Sequence, residues 1–103
     1  KYAKRSTLPD FDAREPLKAP QLQELLQWDE ATFLNMTEGS AIRRIGHARW
    51  IRNVALAAGN ALRDAENIST EDAAVLVNAL VPWLSHPDPV VQEQVAWSLD
   101  NRA

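Results

Sequence analysis

No cysteine occurs among the 103 residues, which excludes a disulfide framework and any thiolate ligand set for zinc or an iron–sulfur cluster. Histidine is scarce too: His47 and His86 stand far apart and outside any His-x-x-x-His spacing, so the pattern offers no metal site. The longest apolar stretch, Ala73 to Leu84, is broken by Asn78 and Pro82 and falls short of the roughly 20 residues a membrane-spanning helix needs. Strict apolar/polar alternation between turn residues is missing, so no strands are expected. There is no Gly-rich phosphate loop and no serine, histidine and carboxylate set around a nucleophile, so the segment carries no active site of its own. The chain starts on Lys1 with no hydrophobic signal core behind it, the pattern expected of a segment from a longer cytoplasmic protein.

What is present describes one soluble globular domain: 46% apolar and 24% charged residues, far from the charge-rich signature of disorder. The net charge of −3 conceals an asymmetry. Residues 1–52 carry nine Lys/Arg against seven Asp/Glu, and residues 53–103 carry two against seven.

Residues 1–19, with Pro9, Pro16 and mixed charges, read as an extended lead-in, and residues 20–103 as a helical domain. After Pro20, Leu22, Leu25 and Leu26 form the stripe of a short helix ending near Trp28. Asp29 caps a second, with Phe33, Leu34 and Met36 on its apolar side, and Gly39 stops it. Ser40 opens a short turn through Ile45, and Gly46 separates this from a long helix over about His47 to Glu66. On that helix Trp50, Ile51, Val54, Ala57, Ala58 and Ala61 share one side. Ser69 to Asp72 has capping-box spacing before Val75, Leu76, Ala79, Leu80 and Trp83, with a kink or early end expected at Pro82. Asp88 and Pro89 open a last helix that buries Val91, Val95, Trp97 and Leu99. The expected core contains Leu25, Phe33, Trp50, Val54, Leu76, Leu80, Val95 and Leu99.

This pattern predicts an all-α fold of five or six helices. Val54-Ala55 and Asn60 recur as Val95-Ala96 and Asn101, an offset of 41 residues that lies within the roughly 40–47-residue period of paired-helix repeats. Antiparallel helix pairs in a small HEAT-like superhelical array are therefore expected.

The densest polar cluster is Ser40, Arg43, Arg44, His47, Arg49, Arg52 and Asn53, with four arginines and no carboxylate. Helical spacing puts Arg49, Arg52, Asn53, Leu56 and Asn60 within about 100° of arc, opposite Trp50 and Val54. Gly39 and Gly46 permit sharp turns that leave helix N-termini near Ser40 and His47, and arginine forks suit phosphate. This points to phosphate or RNA binding. The bland reading is a solvated basic face paired with nearby Glu38, Asp29 or the acidic helices. The four tryptophans, each in or beside an apolar stripe, belong to the core. An alternative function is a HEAT-like protein–protein interaction module using the acidic second half and exposed leucines.

The string Thr37-Glu38-Gly39-Ser40-Ala41-Ile42-Arg43-Arg44-Ile45-Gly46-His47, continued through Arg49-Trp50-Ile51-Arg52-Asn53, resembles the post-cluster region of the epoxyqueuosine reductase family. Further likenesses run from Pro16-Leu17-Lys18-Ala19-Pro20 and Leu25-Leu26 through Ala57-Ala58-Gly59-Asn60 to Val95-Ala96-Trp97, covering essentially the whole chain. Lys1-Tyr2 looks like the continuation of that family's Cys-Pro-Trp-Asn cluster motif. The resemblance implies a parent oxidoreductase that reduces epoxyqueuosine to queuosine at the tRNA wobble position with cobalamin and two [4Fe–4S] clusters. Those cofactors would be held by upstream cobalamin- and cluster-binding domains, with none in this segment. It also implies that residues 1–19 lead in from a ferredoxin-like domain, and that residues 20–103 are a C-terminal module facing the tRNA anticodon stem-loop. By this likeness the RNA-facing residues are Ser40, Arg43, Arg44, Gly46, Arg49, Arg52 and Asn53, with His47 added by proximity.

Overall fold

The computed structural model describes residues 18–64 and 66–100. The lead-in therefore lies outside the described residues, apart from Lys18 and Ala19. Among the described residues the fold comprises five α-helices and no strand: α1 (Ala19–Leu26), α2 (Glu30–Met36), α3 (Gly46–Arg63), α4 (Thr70–Leu80) and α5 (Pro89–Asp100). Two 3₁₀ helices, Ala41–Ile45 and Val81–Ser85, lead into α3 and out of α4. No described helix is long and apolar enough to cross a membrane.

The local signals act where the sequence puts them. Asp29 accepts a hydrogen bond from the Thr32 N–H at 2.8 Å, Ser40 from Ile42 at 3.2 Å, Ser69 from Asp72 at 3.0 Å and Asp88 from Val90 at 2.9 Å. Each satisfies one of the N–H groups that a helix start leaves without a partner. Pro82 has no N–H to give, and the helix tightens to 3₁₀ from Val81 onward. Two ends differ from expectation. α3 includes Gly46 as its first residue and ends at Arg63 rather than Glu66, where the Asn67 amide grips the Asp64 carboxylate at 2.9 and 3.1 Å.

α3 is the central element. Its largest interface is with α5, α1 packs mainly on α4, and α1 also meets α3. The direction of these helices follows from two pairs of contacts. The His47 ring lies 6.3 Å from that of His86, and Gly59 abuts Ser98. Both pairs are 39 residues apart, so α3 and α5 run parallel. The chain between them, including α4, returns antiparallel to α3.

The core contains Leu22, Leu25, Leu26, Trp28, Phe33, Trp50, Ile51, Val54, Leu76, Leu80, Val91 and Val95. Trp28 stacks on Trp50 with centroids 5.1 Å apart and planes 9° from parallel. Leu99, Trp83 and Trp97 are half-buried rather than enclosed, Leu99 and Trp83 packing against the core from its margin. On α3 the buried set is wider than the expected side: Ala55, Gly59 and Leu62 are buried, while Ala57 and Ala61 are only half-buried. α5 covers that extra flank, where the Ser98 hydroxyl donates to the Ala55 carbonyl at 2.6 Å. On α2 only Phe33 faces inward. Leu34 and Met36 are exposed, and Thr37 takes the buried position one turn after Phe33, donating its hydroxyl to the Phe33 carbonyl.

Candidate nucleic-acid interface

Between Gly39 and Arg63 the sequence contains five arginines and no carboxylate. The fold distributes this stretch over the first 3₁₀ helix and all of α3. Gly39 and Gly46 adopt φ of 80° and 84°. Gly46, with ψ 160°, occupies a region essentially reserved for glycine. A Cβ at either position would meet nothing within 4 Å, so backbone conformation, not space, demands glycine there.

The structure brings some of the expected residues together and separates others. Arg49, Arg52 and Asn53 lie within about 100° of arc on α3. Arg49 and Asn53 are exposed and Arg52 is half-buried. The Arg52 Nε is out of solvent without a hydrogen-bond partner, which leaves its terminal nitrogens as the outward contacts. Arg43 and Arg44 are exposed on the preceding 3₁₀ turn, where adjacent residues diverge by about 120°, so the two point different ways. The guanidinium groups of Arg43, Arg44, Arg49 and Arg52 make no ion pair, hydrogen bond or ring contact among the described residues. Pairing with Glu38 or Asp29, the bland expectation, is not what the structure contains. Ser40 is half-buried, and its hydroxyl oxygen is occupied as a cap.

His47 is set apart. It projects about 160° from Arg49 on the helical wheel and is half-buried. Its Nε2 lies 2.7 Å from the Trp28 carbonyl oxygen. A carbonyl only accepts, so that nitrogen carries the proton. The ring also meets Phe33 edge-on at 5.9 Å and Trp83 at 5.4 Å. Trp83 in turn donates its Nε1–H to the Leu26 carbonyl at 2.7 Å. These two side chains thus satisfy carbonyls at and just beyond the end of α1, which a helix terminus leaves unpaired. They fix the start of α3, and with it the arginine face, against α1.

Arg63 escaped the reading of the sequence as a member of this face. It stands 14 residues after Arg49, close to four full turns, and so falls in the same sector. Its guanidinium lies 3.9 Å from the centre of the Trp97 ring. The spacing to Arg49 was a usable signal; the contact with Trp97 was not, because it depends on α5 lying beside α3.

No family model matches the chain, and no solved structure does. Curated relatives do. The chain is 52% identical over 99 residues to an epoxyqueuosine reductase of Alicycliphilus denitrificans, covering 96% of this chain and 27% of that protein. It is 41% identical over 99 residues to the Escherichia coli protein of that name, covering 96% and 24%, and 45% identical over 100 residues to the Xanthomonas campestris one, covering 96% and 25%. The chain thus spans about a quarter of the length of the curated relatives it matches. With 96% of its residues aligned at such identity, the chain belongs to the epoxyqueuosine reductase family, as the counterpart of part of those proteins.

Proposed function

We propose that the chain is the C-terminal tRNA-docking module of an epoxyqueuosine reductase, a HEAT-like helical array that positions the anticodon stem-loop. The rest of the protein, in this reading cytoplasmic, reduces epoxyqueuosine to queuosine at the wobble position. The observation that carries the reading is the set of arginines at the start of α3 and on the turn before it, which find no carboxylate partner among the described residues. Arginine forks hold phosphate oxygens bidentately, and phosphate contacts fix register without reading bases. The module therefore places the stem-loop, and selection of the modified base falls to the other domains. Parallel stacking of α3 on α5, with α4 returning between them, supports the HEAT-like description.

The family resemblance implies two [4Fe–4S] clusters and cobalamin, and the residues of this chain do not fit them. Cluster ligation needs several thiolates, and the chain has no cysteine. Among the described residues no group of three His, Cys, Asp or Glu is arranged to hold a metal. His47 and His86 direct ring nitrogens to the Trp28 carbonyl and the Asp88 N–H. In the proposal these groups sit in the upstream domains, and no chemical step passes through this segment.

The test is titration of tRNA into the intact protein and its Arg49→Gln/Arg52→Gln variant at several salt concentrations. Loss of two phosphate contacts should weaken binding and flatten the dependence of log K on log salt by roughly 0.7–0.9 per contact, with helicity and cluster content unchanged. Equal affinities and equal slopes in two folded proteins would refute the docking role.

A further inference from the structure

The exposed face of α3 does not end at Asn53. Continuing along the same sector come Leu56, Asn60 and Arg63, all exposed, and no carboxylate interrupts the helix. The face therefore has arginines at both ends and two amides flanking a leucine in the middle. At 1.5 Å per residue, Arg63 lies about 16 Å from Arg52 and about 21 Å from Arg49 along the axis. The far end is held in place. Arg63 rests on Trp97 at 3.9 Å, and the Asp64 carboxylate beside it is taken up by the Asn67 amide. Like the other four arginines, Arg63 has no ion pair among the described residues.

We infer that α3 docks lengthwise across the minor groove of an A-form RNA duplex. Arg49 and Arg52 contact one phosphate backbone, Arg63 contacts the other, and Asn53 and Asn60 bond ribose 2′-hydroxyls between them. This rests on the RNA-docking reading above and adds to it the form of the nucleic acid and the far end of the surface. The chemistry follows from the layout. An RNA duplex presents a wide, shallow minor groove carrying 2′-hydroxyls, bounded by phosphates on both sides. A hydroxyl that donates and accepts suits a side-chain amide that does both, and Leu56, 42% exposed, lies against the sugars. A B-form DNA minor groove, about 6 Å wide, does not admit a helix of about 10–12 Å diameter. Trp97 acts as a positioning residue, holding the Arg63 guanidinium over its ring.

The experiment uses the intact protein and three probes of matched length: an RNA hairpin, the DNA hairpin of the same sequence, and an unpaired RNA strand. The RNA hairpin should bind at least tenfold more tightly than either of the others. Arg63→Gln should lower its salt slope by about 0.9, the value for one duplex phosphate contact. Asn53→Ala/Asn60→Ala should weaken binding of the RNA hairpin but not of the DNA hairpin. Trp97→Leu should weaken binding in the wild-type background and have little further effect beside Arg63→Gln. Equal binding of the two hairpins or of the unpaired strand overturns the inference. So does an unchanged slope for Arg63→Gln when Arg49→Gln/Arg52→Gln flattens it, a result that leaves the docking role standing. If neither substitution changes the slope, the docking role itself fails.

Discussion

Asp29 shows how much one side chain can settle and how it can be tested. Its carboxylate accepts the Thr32 N–H at 2.8 Å. That backbone bond first, then the Thr32 hydroxyl and the nearby His47, holds its pKa below the ordinary aspartate value despite some opposing desolvation. The folded state therefore favours the charged form. The resulting stability is complete above the unfolded-chain pKa, about 3.9, and is lost as pH falls through the lower folded value. Asp29→Asn keeps an acceptor without the titration, so its stability should fall less steeply below about pH 4 than that of wild type, as measured by denaturant midpoints across an acid series. A limb of unchanged steepness would show that Asp29 contributes nothing to acid sensitivity. All four caps were legible in the sequence, because a cap needs only its own residue and an N–H two or three positions on. Burial on α2 was not. Leu34 and Met36 looked apolar enough for the core, but a seven-residue helix offers one inward position per turn, and Phe33 and Thr37 fill it.

At the scale of the element, α3 has an outward face on which Arg52 is half-buried rather than exposed, and an inward face wider than its spacing implied. Trp50, Ile51, Val54 and Ala58 are buried as their spacing implies, and Arg49 and Asn53 are exposed. The role of Ala55 and Gly59 was hidden, since small residues look the same in a sequence whether they face solvent or a second backbone. Here they admit α5. A Cβ on Gly59 would lie 2.8 Å from the Ser98 hydroxyl oxygen and 3.0 Å from the Ser98 Cα. Ser98 is fully buried and bonded to Ala55, so it has little room to yield. Helix propensity alone favours Gly59→Ala by about 1 kcal/mol; the close approach reverses the sign, and a net destabilisation of about 1–3 kcal/mol is expected. Ser98→Gly in the same background should recover part of it. Chemical denaturation of the four proteins of this cycle measures both effects, and a stabilised Gly59→Ala would show that the helices separate without cost.

Over the whole molecule, the packing between the two halves has a consequence for how the chain folds. Helices of the first half pack chiefly on helices of the second, α1 on α4 and α3 on α5. Two further bonds join the aromatic hub: Trp83 reaches back 57 residues to Leu26, and His47 reaches back 19 residues to Trp28. Neither half can bury its apolar surface alone, so the two halves form one cooperative unit rather than two that melt in sequence. Far-UV circular dichroism reports all helices. Tryptophan fluorescence reports Trp28 and Trp50 in the first half and Trp83 and Trp97 in the second. The two signals should give the same denaturant midpoint. Leu80→Ala removes a fully buried side chain from α4, in the second half, and should cost about 2–5 kcal/mol. Because α1 rests on α4, the substitution should shift both signals together, including the part that arises from the stacked Trp28–Trp50 pair. The variants Trp83→Phe and Trp97→Phe leave that pair as the dominant fluorophore and isolate its transition. A Leu80→Ala chain in which the Trp28–Trp50 signal keeps its wild-type midpoint while helicity is lost earlier would mean that the halves fold independently. The arginine face would then be carried by a first half that is stable without the second.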